Sequence, residues 1–426
     1  PDRCIPSLHL MASQDSSRDV RMRGFASRTS VADALAWLDG HTGPLAAENV
    51  ALSEGAGRVL ATEMVSQLNV PPFPRGMMDG YAIRAEDSSG ASPYNRLRLT
   101  VVGEVLPGER YRGELRSGEA VRIMTGARLP DGADAVIPVE KTDMSDDILS
   151  LSDFVSPGKH IGQIGEDIAE GQTVLAKGRR LRPQDLGVLS SIGVQQFSVI
   201  RRPRVRILVT GNELLPPGST PHGEKIADSN SPMLKAFIER DGGIVIHPGI
   251  LPDSEEAIRE AFHVDCDVVL VSGGSSVGQE DYAPRVLAEE GELSIHGIAM
   301  RPSSPTGIGL LESKIVILLP GNPVSCMCAY DFFAGRAIRR LGGRETDWPY
   351  LVVRRKLLRK MVSVVGRVDY ARVRLKDGLV EPIAISGASL LSSTTNADGF
   401  VVIPEGSEGF AAGSEVDVLC YSSGSQ

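Results

Sequence analysis

Between residues 203 and 344 the chain alternates continuous apolar segments with segments whose apolar residues recur at helical spacing. The apolar segments predict strands at Val205–Thr210, Gly243–His247, Val268–Val271 and Lys314–Leu319. Ser231 and Pro232 predict the N-cap and first residue of a helix that ends at Gly242. Continuous apolar strands separated by helices indicate a mainly parallel sheet covered on both faces. We therefore predict an α/β domain at 203–344.

Shorter β-prone segments lie on both sides of this domain. Residues 69–158 are rich in Pro and Gly turns and predict a β-rich insert domain, whose strands include Leu97–Val105, Ala120–Met124 and Ala135–Val139. After Trp348 the alternation of apolar and polar residues returns, as in Arg367–Lys376 and Gly399–Pro404. This tail predicts a small C-terminal β domain, residues 345–426.

Helical patterns begin after Ser30, span residues 45–65 and recur at Pro183–Gly193. They predict a discontinuous linker domain, made of residues 27–68 and 159–202. Residues 1–26 show neither pattern, and we expect them to form a disordered extension. The predicted fold class is thus a multidomain α/β plus β protein with a helical linker region.

Composition restricts the classes of function. A chain of 426 residues with 42% apolar residues can bury several cores, because one domain has roughly 150 residues. The net charge of −9 without a basic tract argues against nucleic acid as a partner. No apolar run reaches the roughly 18 residues of a membrane span. Five cysteines without a pairing or zinc pattern predict a cytoplasmic protein with reduced thiols.

Three of the predicted parallel strands end in polar, glycine-containing loops, namely Gly211–Glu213, Ser272–Gly278 and Pro320–Ser325. Ligands bind at the carboxyl ends of strands in open α/β sheets, and glycine lets backbone N–H groups approach a phosphate closely. Neither the P-loop pattern nor the dinucleotide-binding pattern is present. The three loops therefore predict a site for a ligand that carries a nucleotide or a phosphate.

The motifs in these loops, together with three upstream motifs, resemble one known family. They are Met78–Ala82, Arg122–Ala127, Gly165–Ile168, Thr210–Leu214, Ser272–Tyr282 and Leu319–Ser325, in this order. The chain resembles the molybdopterin molybdenumtransferases (molybdenum insertases), which are related to the gephyrin E domain. The resemblance implies that molybdate is inserted into adenylylated molybdopterin with release of AMP. It also implies a requirement for Mg²⁺, a homodimer, and a possible molybdopterin adenylyltransferase partner.

Residues at the matching positions become candidates for the site. The catalytic candidates are Asp79, Thr125, Asp167, Glu213 and Asp281. The substrate-binding candidates are Gly211, Ser272, Gly273, Gly274, Ser276, Gly278, Arg301, Pro320, Gly321, Asn322 and Pro323. The metal candidates are Glu213, Asp253 and Asp281, because Mg²⁺ prefers a few carboxylate oxygens and keeps water and phosphate ligands.

Several candidates also have a purely structural interpretation. Asp79 stands in a turn-prone Asp-Gly pair, and only the resemblance favours function for Thr125 and Asp167. Asp253 begins a D-x-x-E pattern that is typical of a helix N-cap, and Asp281 can cap the helix after it. Pro320 and Pro323 can simply end a strand, and Cys326 and Cys328 are expected to be core residues.

The sequence departs from the family pattern at four positions. Asn212 stands where the family usually has Asp, and Gly297, Arg301 and Ser304 stand where it usually has lysine. Arg301 can replace one lysine with a bidentate guanidinium, but Gly297 and Ser304 cannot. We therefore expect a less positive anion site, in which Arg301 carries most of the anion recognition.

Two other functions stay open on the sequence alone. The α/β domain is also compatible with a molybdopterin adenylyltransferase or nucleotide hydrolase, although the long β insert and the C-terminal domain argue against it. The missing lysines are compatible with a non-catalytic, pterin-binding scaffold. These possibilities differ in whether AMP is released, ATP is consumed, or the ligand is only bound.

Overall fold

The computed structural model describes residues 28–273, 282–384 and 387–422, which form two compact units. One unit comprises residues 47–199, and the other combines residues up to 46 with residues from 200 onward. The described ranges contain α1 (Val31–His41), α2 (Pro183–Ser191), α3 (Asn230–Asp241), α4 (Glu255–Phe262), α5 (Tyr282–Glu290), α6 (Pro323–Ala329), α7 (Gly335–Leu341) and α8 (Ser392–Thr395). A π-helical turn, Tyr330–Ala334, joins α6 to α7.

The unit of residues 47–199 is mainly β. Its strands are β1 (Ala47–Ala51), β2 (Met64–Val65), β3 (Arg75–Gly76), β4 (Gly80–Ile83), β5 (Leu97–Val105), β6 (Glu119–Ile123), β7 (Ala135–Pro138), β8 (Thr142–Ser145), β9 (Ile148–Leu151), β10 (Ile161–Gly162), β11 (Thr173–Leu175) and β12 (Gln196–Ile200). Six of them form one sheet in the order β7-β4-β6-β5-β9-β8, and the others pair two by two. The predicted insert strands are thereby confirmed.

The second unit contains the predicted α/β sheet. Its strands are β13 (Arg204–Thr210), β14 (Leu214–Leu215), β15 (Ile226–Ala227), β16 (Ile244–Ile246), β17 (Ile250–Leu251), β18 (Val268–Ser272), β19 (Glu292–His296), β20 (Met300–Arg301), β21 (Gly307–Leu311) and β22 (Lys314–Leu319). The main sheet has the order β16-β13-β18-β22-β21-β19, with β17 also paired to β13. Strands β16, β17, β13, β18 and β22 are parallel, while β21 pairs antiparallel with both of its neighbours, β22 and β19. The mainly parallel sheet is confirmed.

The C-terminal strands of this unit form a second sheet. They are β23 (Leu351–Leu357), β24 (Met361–Val362), β25 (Val368–Lys376), β26 (Leu379–Ala384), β27 (Gly399–Ile403), β28 (Gly409–Phe410) and β29 (Glu415–Cys420). The order is β20-β25-β26-β23-β29-β27, and β27 also pairs with β25, so the sheet closes on itself. The predicted C-terminal β structure is present, and β20 joins it by pairing with β25.

Helix α1 packs on the α/β part of the chain, whereas the sequence analysis placed it in a linker domain. Its buried face, Val31, Ala34 and Leu38, belongs to the same hydrophobic cluster as Ile338 of α7. The Arg336 guanidinium also donates two hydrogen bonds to Asp39, at 2.8 and 2.7 Å. An amphipathic pattern shows that a helix has a partner but does not identify that partner.

The helix predicted for residues 45–65 is wrong. The segment instead contains β1, a 3₁₀ turn at Leu52–Glu54, and β2. Its apolar residues Val50 and Leu60 pack in one cluster with Phe197 and Val199, and β1 pairs with β12. This distant strand determines the conformation, because tertiary pairing overrides local propensity.

The two cysteines of α6 agree with the sequence analysis. Cys326 and Cys328 are fully buried on α6, as predicted for core residues. Among the described residues, no helix combines the length and the apolar character needed to cross a membrane.

Candidate active site

The loops predicted to meet at one sheet edge do so. Strands β13, β18 and β22 are neighbours and parallel, with Val209 aligned to Ser272 and Ser272 aligned to Leu319. Their carboxyl ends therefore lie side by side, at the position where open α/β sheets bind ligands.

A crevice of about 640 Å³ lies at this edge. Nine predicted site residues line it: Gly211, Glu213, Asp253, Ser272, Gly273, Pro320, Gly321, Asn322 and Pro323. The other lining residues are Val209, Thr210, Leu214, Ile226, Ala227, Asp228, Ser229, Asn230, Pro305 and Ser389. The structure thus brings most of the predicted loop residues into one cavity of ligand size.

Gly273 shows why glycine is needed at the end of β18. Its φ is +101°, and a Cβ atom built on it would lie 2.5 Å from the carbonyl oxygen of Thr210. A side chain would therefore collide with the backbone of β13, besides straining its own backbone. The close approach of the two strand ends depends on this residue.

The start of α3 forms part of the wall that the sequence analysis missed. The helix begins at Asn230, preceded by Ser229, so the predicted N-cap at Ser231 is wrong. The Asp228 carboxylate accepts the N–H groups of Asn230 and Ser231, at 2.8 and 3.0 Å, and also the Ser231 hydroxyl. The signal was the Asp-Ser-Asn run before Ser231, which offers a second capping arrangement.

The carboxamide of Asn230 joins two of the loops. Its Nδ2 donates to the Ser272 hydroxyl oxygen at 2.9 Å and to the Gly321 carbonyl oxygen at 2.8 Å. These contacts link the ends of β18 and β22 through the first residue of α3.

Carboxylates are the charged groups of the crevice wall. Glu213, Asp228 and Asp253 line it, and within the described part of the chain no lysine, arginine or histidine does. The N-cap of α4 is Ser254, whose hydroxyl accepts the Ala257 N–H at 3.3 Å. Asp253 is thus not the N-cap that its D-x-x-E pattern suggested.

No three metal-binding side chains are grouped closely enough, among the described residues, to form a complete metal site by themselves. Gly274, Ser276, Gly278 and Asp281 lie outside the described residues. Their predicted roles, including the third metal carboxylate, stay predictions.

Asp79 and Thr125, from the unit of residues 47–199, form a second polar group. The Asp79 Oδ1 atom accepts both the backbone N–H and the hydroxyl of Thr125, each at 2.7 Å. The backbone N–H of Thr125 and then its hydroxyl lower the pKa of Asp79 below its usual value. Both side chains are solvent-exposed, as is Asp167. The structure therefore places two predicted catalytic residues in direct contact, and these hydrogen bonds favour the ionised form of the Asp79 carboxylate.

Arg301 lies outside the crevice lining. It forms a bidentate ion pair with Asp369, in which Nε donates to Oδ1 at 3.1 Å and Nη2 donates to Oδ2. Asp369 is fully buried, so this guanidinium neutralises a charge of the C-terminal sheet. The placement gives no support to the predicted anion-binding role of Arg301.

The two other positions without lysine have backbone roles. Gly297 has a φ of +92°, and its carbonyl oxygen accepts the Thr29 N–H at 3.0 Å. A lysine there would be strained, so this structure favours glycine at that position. The carbonyl oxygen of Ser304 accepts the Ile298 N–H at 2.9 Å.

Three family models match successive parts of the chain. They are described as the MoeA N-terminal region (domain I and II) at residues 29–193, a probable molybdopterin binding domain at 206–340, and the MoeA C-terminal region (domain IV) at 354–421. The middle match contains the loops that form the crevice.

Curated relatives match over almost the whole chain. The molybdopterin molybdenumtransferase of Haemophilus influenzae is 33% identical over 388 residues, which are 88% of this chain and 94% of the relative. Molybdopterin molybdenumtransferase 2 of Mycobacterium tuberculosis is 34% identical over 381 residues, 87% of this chain and 94% of the relative. The chain belongs to the molybdopterin molybdenumtransferase family. The predicted family is confirmed, while its link to the gephyrin E domain stays a prediction.

Solved structures agree with this membership. Two structures of the molybdopterin biosynthesis MoeA protein from Pyrococcus horikoshii superpose with TM-scores of 0.79 and 0.76, at 35% and 33% identity. Each covers 93% of this chain and 100% of the other chain. The predicted multidomain fold class is therefore confirmed as that of the molybdopterin molybdenumtransferases.

Proposed function

We propose that the crevice binds adenylylated molybdopterin, and that molybdate is inserted there with release of AMP. As a member of its family, the chain is a transferase of molybdenum cofactor biosynthesis, with molybdate as substrate. The observation that supports the proposed site is the meeting of three strand-end loops in one crevice lined by Gly211, Gly273 and Gly321. Such loops leave room for a phosphate-bearing ligand against the backbone.

The donor groups of the wall fit a magnesium ion. Glu213 and Asp253 offer carboxylate oxygens, and the crevice wall of the described chain has no basic side chain to offset a phosphate charge. We propose these two residues as ligands, together with Asp281. When bound, Mg²⁺ would offset the phosphate charge and polarise the phosphoanhydride.

The protein groups themselves have distinct tasks in this proposal. Glu213 carries charge at the crevice wall, and Asp228 fixes the start of α3 through the hydrogen bonds to its first N–H groups. Asn230 then holds the loops of Ser272 and Gly321 at a set spacing. The reacting groups are thereby oriented before reaction, which lowers the entropic part of the barrier.

The test is AMP release from adenylylated molybdopterin by the full chain, with and without molybdate. We expect release only when molybdate and Mg²⁺ are both present. Consumption of ATP would instead indicate an adenylyltransferase, and tight binding without AMP release would indicate a scaffold. Either result contradicts the proposed insertion reaction.

We further propose that the chain acts as a homodimer, in which Asp79 and Thr125 of one subunit serve the crevice of the other. Two observations support this. First, Thr125 orients the Asp79 carboxylate through two hydrogen bonds, yet this carboxylate is exposed. Second, all the lining residues of the crevice come from residues 209–389, so Asp79 is not among them. In cyclic dimers, a site completed by the partner occurs twice, once for each subunit.

Mixing two inactive variants tests the shared site. If Asp79 acts in trans, a heterodimer of Asp79→Ala and Glu213→Ala subunits has one intact site and one doubly defective site. Random mixing would then restore about a quarter of wild-type AMP release. If both residues act within one subunit, every site in the mixture is defective. Mixtures that stay inactive, with heterodimers verified by mass, would contradict the proposal.

We also propose a cytoplasmic protein that receives its substrate from a molybdopterin adenylyltransferase. The proposal rests on the chemistry of the ligand, because adenylylated molybdopterin must be made by adenylyl transfer before insertion. A fluorescently labelled full chain, followed by microscopy and by co-purification with an adenylyltransferase, provides the measurement.

A further inference from the structure

The C-terminal part of the chain supplies one side of the crevice. Among the lining residues of the described chain, Ser389 comes from residues 387–391, which precede α8 and which we call the crevice loop. The carbonyl oxygen of Ala388, in this loop, accepts the Val324 N–H at 3.0 Å, at the start of α6. The shape of the crevice therefore depends on where the C-terminal sheet lies against the α/β part of its unit.

Two helices that begin at the crevice lead to one buried carboxylate, that of Asp331. Helix α3 begins with Asn230 and carries Arg240 in its last turn. Helix α6 begins with Pro323 and leads into the π-helical turn that contains Asp331. Such turns are rare and are frequent at functional sites. At 1.5 Å per residue, Asp331 lies about 12 Å from the crevice end of α6, so it does not contact a ligand there.

Asp331 accepts hydrogen bonds from both parts of the unit. Nη2 of Arg240 donates to its Oδ1 at 3.3 Å. The Tyr350 hydroxyl lies 2.8 Å from Oδ1 and 3.0 Å from Oδ2, and it accepts Arg240 Nη1 at 2.6 Å. The Tyr370 hydroxyl donates to Oδ2 at 3.4 Å. Tyr350 directly precedes β23 and Tyr370 lies in β25, so two of the donors belong to the C-terminal sheet.

These donors determine where the sheet can lie. The Asp331 side chain is fully buried, and burial raises its pKa to about 6, so the carboxylate is ionised at neutral pH. A buried charge without hydrogen bonds is strongly unfavourable. Apolar packing between the sheet and the helices tolerates small shifts, whereas hydrogen bonds depend on distance and angle. Asp331 therefore favours the one position of the sheet in which both tyrosine hydroxyls reach it.

We propose that Asp331 is a positioning residue for the insertion reaction, which keeps the crevice loop in place through the hydroxyls of Tyr350 and Tyr370. For its effect on the reaction this inference rests on the proposed function, whereas the positioning is a property of the fold. When the sheet shifts, the crevice loses the side that Ser389 provides. Only the fraction of molecules with the loop in place then binds the ligand with full affinity.

Tyr350→Phe tests the position of the loop without any ligand. The substitution removes the hydroxyl and keeps the ring, whose centroid lies 5.4 Å from that of Phe400. The Val324 N–H has no partner within its helix, because it lies in the first turn, so its protection depends on Ala388. We expect its hydrogen exchange to become about tenfold faster in the variant. Exchange of the full chain, followed by mass spectrometry with fragmentation to single residues, provides the measurement.

Tyr330→Phe is the matched control. Tyr330 is also a fully buried tyrosine whose hydroxyl donates to a buried carboxylate, Asp241 Oδ2 at 3.0 Å, but both residues belong to the α/β part. Its ring keeps the stacking contact with Phe237. Both variants should melt at similarly lowered temperatures, but only Tyr350→Phe should change the exchange of Val324.

The same two variants measure the effect on the reaction. In AMP release, Tyr350→Phe should raise KM for adenylylated molybdopterin severalfold and leave kcat nearly unchanged, because bound ligand keeps the loop in place. Tyr330→Phe should keep the wild-type KM. Should Tyr350→Phe fail to fold, Tyr370→Phe makes the same comparison, since it removes the second tyrosine hydroxyl from Asp331.

Two results would overturn the inference. One is an exchange rate at Val324 that is unchanged in Tyr350→Phe or changed equally in both variants, since Asp331 would then act on overall stability alone. The other is faster exchange with an unchanged KM, since the loop position would then not affect binding. If the wild type releases no AMP, the proposed function is contradicted, while the exchange rates still decide whether Asp331 positions the crevice loop.

Discussion

Glu213→Gln is expected to lower molybdate-dependent AMP release by about a hundredfold without lowering thermal stability. Glu213 is exposed at the crevice, and its carboxylate accepts no hydrogen bond in the described residues, so a glutamine of the same size disturbs no packing. The substitution removes one charge from a wall that also carries Asp228 and Asp253. Losing this repulsion should not destabilise the fold, whereas a bound cation would lose a ligand.

The measurement is AMP release as a function of Mg²⁺ concentration, together with a melting curve. If Glu213 binds the metal, the variant should require more Mg²⁺ for half of its maximal rate. Glu224→Gln is the matched control, because Glu224 is an exposed glutamate between β14 and β15 that does not line the crevice. Full activity of Glu213→Gln, or an equal loss in the control, would remove Glu213 from the proposed machinery.

The crevice shows which parts of a site can be predicted from sequence. Its glycine loops were predictable because each follows a continuous apolar strand, and parallel strands place their carboxyl ends at one edge. Asn230 was not predictable in this way. Its contacts to Ser272 and Gly321 span 42 and 91 residues, and a short polar run before a helix is ordinarily a cap.

Two of the incorrect predictions have the same physical origin, a partner that is distant in the sequence. Residues 45–65 became strand and turn because β12, more than a hundred residues later, provides the pairing partner. The D-x-x-E pattern predicts Asp253 as the N-cap of α4, but the neighbouring Ser254 is the N-cap, and a sequence pattern does not resolve a helix start to one residue. Arg301 was predicted to bind an anion of the ligand, although its anionic partner is a buried carboxylate 68 residues away.

The ion pair of Arg301 with Asp369 predicts that Arg301 stabilises the fold and does not bind an anion of the ligand. Asp369 is fully buried and accepts hydrogen bonds from Arg301 and from the Ser363 hydroxyl, the latter at 2.6 Å, while Arg367 Nε lies 3.2 Å away. Strand β20 carries Arg301 to this carboxylate by pairing with β25. The guanidinium therefore helps to hold the C-terminal sheet on the α/β part of the same unit.

Arg301→Ala is expected to lower the free energy of unfolding by about 3 kcal/mol, because it leaves a buried carboxylate with incomplete compensation. The molybdate concentration that gives half of the maximal AMP release should be unchanged in the fraction of the protein that remains folded. Chemical denaturation and a molybdate titration of AMP release measure the two effects. Asp369→Asn in the Arg301→Ala background should recover part of the loss, since no unpaired buried charge then remains.

Arg354→Ala is the control for removing an arginine from the same sheet. Arg354 donates to Asp417 at 2.7 and 3.0 Å with both side chains exposed, and water readily replaces such a pair. Its loss should leave the unfolding free energy nearly unchanged. If Arg301→Ala instead unfolds like the wild type and requires more molybdate for half-saturation, the guanidinium acts on the ligand after all. Since Asp369 already neutralises this guanidinium within the protein, we expect the loss of stability.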